Sequence, residues 1–401
     1  MNTSAQTQCA QWRQAAHACL ERGDLQQAGQ LFQLVLDEIP GDLEALQVTG
    51  AAQLAAGHFI AAARTLRQAV QQAPSLFVER LRLGMALERL GQPHDALTAY
   101  FGALRTAQNQ GRWLSDETTA SGLREAVKHA MRYVDTGRLA WFRRVLEPLQ
   151  QRYGVEQMRR VEHCLEAYLG EHSVKTPDPR QRPKFLYFPD VPSQPYYARE
   201  RFPWHDALEA ATDWIREELR GVLAREQSLE AFLGAPPPGQ SQQAMLQSSG
   251  TQPATWDAYF FYRHGERYDA NADACPRTAA LLDSLPLTRI RDHAPETLFS
   301  VLSPGTHILP HTGVTNVRLV THLPLIVPPD CALRVGGQTH VWQEGRCVTF
   351  DDTFEHEAWN RSNETRVVLI LDSWNPDLTV AECAAVTELI GAIGDFNAAS
   401  A

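Results

Sequence analysis

No run of 18 apolar residues occurs anywhere in the 401-residue chain, so a membrane-spanning helix is not expected. The stretch Met1 to Gln11 is polar and lacks a basic segment followed by an apolar one, so a signal peptide is not expected either. Cysteine is scarce and scattered. The seven are odd in number and contain no CxxC pair, which argues against a disulfide framework or a structural zinc ribbon and fits a reducing, cytoplasmic compartment. Positive charge is also short. Lys and Arg total 37 against 47 Asp and Glu, a formal net charge of −10, so nucleic acid is excluded as the main partner. What remains is an ordinary globular balance, 44% hydrophobic and 21% charged, in a chain long enough for two or three domains.

The first quarter repeats. Gly23, Gly57 and Gly91 recur with a period of 34; Ala28, Ala62 and Ala96 follow them in the same phase, and Phe32, Leu66 and Tyr100 follow those one helical turn later. Pro40 and Pro74 keep the same period. Such a pattern predicts helix–turn–helix units. Glycine permits the turn, alanine lets two helices approach, the bulky residue fills the groove, and proline ends the second helix. Period and pattern resemble the tetratricopeptide repeat, which predicts α-helical repeats over residues 1–112. Such an array can hold a peptide or protein partner, or serve only as a helical cap. A helical bridge and linker is expected over 113–183. Within it, Leu123, Ala126, Val127, Ala130, Met131 and Val134 share one helix face, a second helix spans Val155 to Leu169, and a Pro- and charge-rich stretch follows.

Residues 184–401 read as the other domain. An amphipathic helix is expected from Asp206 to Arg225, and Gly234 to Pro253 reads as a mobile loop, either plain or a lid. Strands are expected over 258–263, 297–302, 317–327, 332–335, 346–350 and 366–372, with a closing helix from Val380 to Ile393. Short strands between turn signals suggest a jelly roll, so the fold class is an α+β multidomain chain.

Six of the fourteen histidines fall between residues 293 and 356. His311, at an expected strand entrance, and His356, farther along the chain, can meet on one metal in a jelly roll, since imidazole suits iron, zinc and copper. Arg318, Val320 and His322 alternate along one strand and share a face, and a buried Arg318 would need an anionic partner. Arg366 heads an apolar strand, where it can reach solvent or close over a dicarboxylate. His264, His293, His307 and His340 read as structural histidines, and Asp351 as a turn former.

Four segments in order carry a resemblance: SVLSPGTHILPHTG from Ser300, NVRLVTHL from Asn316, FDDTFEHEAW from Phe350 and LDSWNPDL from Leu371. They resemble the aspartyl/asparaginyl β-hydroxylase family, over about residues 184–390, in which tetratricopeptide repeats also precede the catalytic domain. The resemblance implies a double-stranded β-helix (jelly-roll) enzyme, a dioxygenase using iron(II), 2-oxoglutarate and molecular oxygen to hydroxylate an unactivated C–H bond. The expected substrate is an Asp/Asn-type residue of a peptide or protein, or a related amino-acid derivative. It implies His311 and His356 as metal ligands, and Ser300, His322 and Arg366 as the 2-oxoglutarate site, with Arg366 on its distal carboxylate. It further implies Arg318 on the substrate side and Asp352 orienting a metal-bound water.

Two positions depart from the pattern. The carboxylate that many iron oxygenases carry two residues after the first histidine is Gly313 here, as in the metazoan aspartyl hydroxylases, where water takes its place. Glu355 and Glu357 cannot replace it, because on a strand they point away from the face of His356. Val320 stands where those enzymes carry a substrate arginine, which puts an aspartyl substrate in question. Two other readings stay open. One is a non-catalytic, cupin-like jelly roll with His307 in the ligand set that binds a partner through the repeats. The other is an oxygenase acting on a small metabolite or a lipid acyl chain.

Overall fold

The structure, a computed structural model, describes residues 3–173, 175–225, 229–233, 245–249 and 253–401. Its contacts divide it into two units. One comprises Met1–Arg144 with Ile393–Ala401, the other Val145–Ala392. The stretch expected as a bridge is shared between them: Val127, Ala130 and Val134 are buried in the first, Met158, Val161 and Leu165 in the second.

In the first unit, helices α1 (Thr3–Glu21) to α6 form three antiparallel pairs, with α2 Leu25–Glu38, α3 Leu43–Ala55, α4 Phe59–Gln72, α5 Phe77–Arg89 and α6 Pro93–Asn109. Asp24 and Asp42 cap α2 and α3 by accepting from the N–H groups of Gln27 and Ala45. All three recurring glycines have positive φ, +78°, +79° and +69°. Each sits at the same helix stop. At the first, the Gly23 N–H reaches the Leu20 carbonyl and the Asp24 N–H the Cys19 carbonyl, and the same pair of bonds recurs at Gly57 and Gly91. Ala28, Ala62, Ala96, Phe32, Leu66 and Tyr100 are all fully buried. A second glycine pair with the same period lies beneath them. A Cβ at Gly50 would sit 2.7 Å from the Leu66 side chain, and one at Gly84 2.6 Å from the Tyr100 ring. The bulky residue therefore packs directly on a neighbouring helix backbone.

The division at Val145 falls within helix α7 (Arg124–Tyr153), and helix α8 (Val155–Leu169) follows in the second unit. The expected helix over 206–225 is two, α9 (His205–Ala210) and α10 (Thr212–Leu223). Two short helices not expected from the sequence follow, α11 (Asp269–Ala274) and α12 (Pro276–Ser284). The closing helix α13 runs Val380–Ala399, beyond the expected end at Ile393.

The strands are β1 Tyr196–Tyr197, β2 Glu230–Ala231, β3 Leu246–Ser248, β4 Trp256–Arg263, β5 Glu266–Arg267, β6 Thr297–Leu302, β7 Thr306–His311, β8 Arg318–Ile326, β9 Cys331–Val335, β10 Gln338–His340, β11 Val348–Phe350, β12 His356–Asn360 and β13 Arg366–Trp374. They form two antiparallel sheets. One has the order β1-β11-β8-β13-β6-β4-β2, with β5 beside β4, and the other β10-β9-β12-β7-β3. Outward faces of the larger sheet pack on α10 and α12 through Ile215, Leu219, Leu282, Phe299 and Leu369. Inward faces of both sheets meet in a second core containing Ile308, Val320, Leu333, Phe350 and Val368.

The stretch Gly234 to Pro253 was expected to be loop throughout. Residues 234–244 and 250–252, and with them the lid reading, lie outside the described residues. Leu246–Ser248 correct the rest: they pair with β7, and Leu246 is buried in the inner core. A three-residue strand among Gln and Ser leaves no alternation to read.

Candidate active site

Ser300, His311, Arg318, His322, Asp352, His356 and Arg366 all line one cavity of about 210 Å³ between the two sheets. The larger sheet supplies Ser300 from β6, Arg318 and His322 from β8 and Arg366 from β13; the smaller supplies His311 from β7 and His356 from β12.

His311 and His356 are cross-strand partners, with ring centroids 4.1 Å apart. His311 is the last residue of its strand rather than at an entrance. The pairing β7–β12 slips between His356 and Ala358: His311 faces His356 while Ile308 faces Ala358. Three steps along β7 thus match two along β12, a bulge that turns His311 onto the inner face with Ile308. His307 is left outside, its Nε2 2.6 Å from Glu357 Oε2. Regular alternation would have put His307 and His311 on one face, so the bulge removes the basis of a cupin-like ligand set.

Each of the two inner rings has Nδ1 against the backbone carbonyl two residues earlier, His311 to Leu309 at 2.8 Å and His356 to Phe354 at 3.0 Å. That bond places the proton on Nδ1 and leaves an Nε2 lone pair free for a metal. Burial lowers the pKa of both rings, that of His311 to about 4 with further help from His356, which holds the imidazoles neutral.

Asp352 lies beside them. Its Oδ2 pairs with the Arg318 guanidinium at 3.1 Å, while its buried Oδ1 has no hydrogen-bond partner among the described residues. Its backbone carbonyl accepts from the Gly313 N–H at 2.6 Å. A Cβ on Gly313 would fall 2.2 Å from the Asp352 carboxyl. The carboxylate of Asp352 therefore fills the space that a side chain at 313 would need. Asp351 points elsewhere and forms the turn, accepting from the Thr353 N–H and hydroxyl and from Gln181. Glu355 pairs with Arg182, and Glu357 with His307 and Arg334, so both face away from the cavity.

At the other end Arg366 is 1% exposed and pairs with no carboxylate among the described residues. Its Nη1 makes long contacts to the Ser300 carbonyl and Oγ, at 3.4 and 3.3 Å, and its Nε has no partner. The guanidinium lies 5.0 Å from the Trp342 ring centroid, and burial lowers its pKa to about 10. His322, also buried, leaves Nδ1 unbonded; burial and Arg366 together depress its pKa well below the usual range. The Ser300 hydroxyl accepts from the Trp256 indole at 2.9 Å. Arg318 finds its anionic partners within the protein, Asp352 and Asp372, the latter at 3.0 Å. Burial alone would lower its pKa, but these carboxylates more than reverse that and hold it charged. Sequence reasoning missed Trp256, Glu296 and Asp372 on the lining; Trp342, which reads as a core residue, is buried in the inner core beneath Arg366. Trp256 and Asp372 are brought to the lining by the pairings among β4, β6, β8 and β13, strands far apart in the chain, and Glu296 immediately precedes β6.

A different cluster, His205, Glu209 and Cys347, brings possible ligand atoms within 4.8 Å of one another. Arg199 and Arg346 and the Cys347 N–H already occupy the Glu209 carboxylate, and burial raises the Cys347 thiol pKa. Two adjacent guanidiniums and a protonated thiol make this a structural knot rather than a cation site.

Residues 209–376 match the family model described as Aspartyl/Asparaginyl beta-hydroxylase. This region belongs to the aspartyl/asparaginyl β-hydroxylase family. The hydroxylase match extends to curated relatives. The chain is 34% identical over 206 residues to the mouse aspartate beta-hydroxylase domain-containing protein 2, covering 50% of this chain and 57% of that one. It is 36% identical over 195 residues to the ornithine lipid ester-linked acyl 2-hydroxylase of Rhizobium tropici, covering 48% and 64%. With the human aspartyl/asparaginyl beta-hydroxylase it shares 38% over 125 residues, 31% of this chain and 16% of that protein. The chain thus spans about half the length of the first curated relatives it matches. No helix among the described residues is long and apolar enough to cross a membrane.

Proposed function

We propose that this hydroxylase-family chain is an iron(II)- and 2-oxoglutarate-dependent dioxygenase built on a double-stranded β-helix, hydroxylating an unactivated C–H bond of a peptide, protein or amino-acid-like substrate. One observation carries the reading. A fully buried arginine, Arg366, without a carboxylate partner among the described residues, lines the same small cavity as two neutral, carbonyl-tethered histidines. A buried guanidinium left unpaired is costly, so this site is built for an anion supplied from outside.

The residues present fit the implied group. His311 and His356 would hold iron(II) through Nε2, and the unbonded Oδ1 of Asp352 would accept from a water completing the coordination. Arg366 and the Ser300 hydroxyl would hold the distal carboxylate of 2-oxoglutarate, with His322 beside it. Bound there, iron(II) supplies oxygen activation, so that one atom of O2 ends in the hydroxylated product and the other in succinate as 2-oxoglutarate loses CO2. The protein contributes position and dryness: Ile308, Leu333, Val320 and Phe350 wall the cavity against water. Arg318 holds the Asp352 carboxylate through Oδ2, which leaves Oδ1 without a partner among the described residues and able to accept from that water. The free cysteines among the described residues fit a reducing, cytoplasmic setting, and the helical repeats offer a face for a protein partner.

Anaerobically purified protein given iron(II), 2-oxoglutarate and then oxygen should form succinate, whereas the His356→Ala variant should neither retain iron(II) nor form succinate. Native protein that binds neither iron(II) nor 2-oxoglutarate would sink the proposal and favour a binding module without turnover.

A further inference from the structure

The substrate end of the cavity is short of positive charge. Of its charged lining residues, Arg366 sits in the 2-oxoglutarate half proposed above, leaving Arg318 against Glu296, Asp352 and Asp372. Arg318 is spent, since its guanidinium is shared between Asp352 at 3.1 Å and Asp372 at 3.0 Å. The neighbouring wall position is Val320, and Leu298 and Ile370 continue it without charge.

A neighbouring cavity adds to this count. A second cavity of about 390 Å³ shares Phe232, Glu296 and Arg318 with the first. It adds Arg263, which stacks 4.5 Å from the Phe260 centroid and pairs with Glu230, and Asp292, which pairs with Arg291 at 2.7 Å. The two cavities together are lined by four carboxylates and three guanidiniums, and the proposed co-substrate takes one of the three. Glu296 lines both. Its Oε1 accepts from the His264 backbone N–H at 2.8 Å and lies 2.8 Å from the ring Nδ1 of the same residue, and no hydrogen bond to its Oε2 occurs among the described residues. Lys184 is exposed and lines neither cavity; its charge reaches the site only as the smallest of the causes that lower the His311 pKa. The sequence from 234 to 252 contains no charged residue, so that stretch brings no cation.

We infer that the group entering this site is neutral or cationic and offers hydrogen-bond donors to Glu296, and that a carboxylate is rejected. This rests on the dioxygenase reading and narrows its substrate class. The physics is repulsion and desolvation. An entering carboxylate would lose its water beside Glu296, Asp352 and Asp372 and find no unspent guanidinium. An amide or a guanidinium-type cation would instead meet the free oxygen of Glu296.

The test does not need the natural substrate. Protein loaded with manganese(II) and 2-oxoglutarate without oxygen relaxes the NMR signals of small solutes that reach the metal. The probes are methanesulfonate, its neutral isostere dimethyl sulfone, and methylguanidinium. Methylguanidinium should be broadened about tenfold more than methanesulfonate, the ratio that about 1.4 kcal/mol of preference gives. Dimethyl sulfone should fall between them. Glu296→Gln should collapse that ratio, and Val320→Arg should raise methanesulfonate above dimethyl sulfone. Equal broadening of the three probes, or preference for methanesulfonate in the native protein, would overturn the inference while leaving the dioxygenase reading intact. Failure to bind manganese(II) and 2-oxoglutarate at all would instead overturn that reading, and the inference with it.

Discussion

The two units spend their buried positions differently. In the repeat unit, the residues that recur in phase are fully buried apolar residues, glycines that close a helix stop, or the exposed Pro40 and Pro74 just past helix ends, and each serves packing or the turn itself. At the heart of the sheet unit, the buried residues include Arg366, His322 and Asp352, each with a polar atom lacking a partner among the described residues. Packing for its own sake does not produce unbonded guanidinium, imidazole and carboxylate atoms around one cavity. They are a standing cost that the apolar sheet cores offset, and they mark where a ligand is expected to complete the bonding.

That contrast can be broken by substitution. The largest effect on stability should come from Leu66→Ala, which removes a fully buried side chain packed on the Gly50 backbone. A loss of about 3 kcal/mol is expected in chemical denaturation followed by the helical signal. A loss below about 1 kcal/mol would mean that the helices close over the gap, and that the repeat core is less tightly specified than its shared period implies. Next comes Arg366→Met, where the sign should reverse. Replacing a buried unpaired charge by an apolar side chain of similar length should stabilise the ligand-free protein by about 2 kcal/mol while abolishing 2-oxoglutarate binding by calorimetry. A destabilised variant would show that Ser300 and Trp342 already satisfy the guanidinium, removing the observation on which the proposed function rests.

The same contrast explains what could be read in advance. The repeat was legible position by position, because its information is local: a turn, a close approach and a bulky filler recur at fixed offsets. The strands at 297–302, 318–326 and 366–374 were legible from their apolar runs, and the seven proposed site residues from ordered motifs that resemble a family. What escaped was set by pairing over distance. The bulge that separates His307 from His311 exists only against β12, and the partners of Arg318 come from the turn before β12 and from the far end of β13. The strand at Leu246–Ser248 is held by β7, with little in its own sequence to announce it.

The finest test sets glycine against glycine. Gly57 is needed for its backbone: φ is +79° and only the tip of the Phe59 ring, at 4.0 Å, approaches a Cβ there. Gly57→Ala should therefore cost about 1 kcal/mol of stability through conformational strain alone, with iron(II) affinity unchanged. Gly313 has no such φ and is needed for space, since a Cβ would lie 2.2 Å from the Asp352 carboxyl. Gly313→Ala should push that carboxylate off the position Arg318 holds and weaken iron(II) binding about tenfold, the lower end of the loss expected when a group supporting a metal ligand is displaced. Measured iron(II) affinities for the pair decide the matter. If Gly313→Ala binds as tightly as the native protein, Asp352 does not orient a water at the metal, and the open position left by the missing carboxylate must be filled some other way.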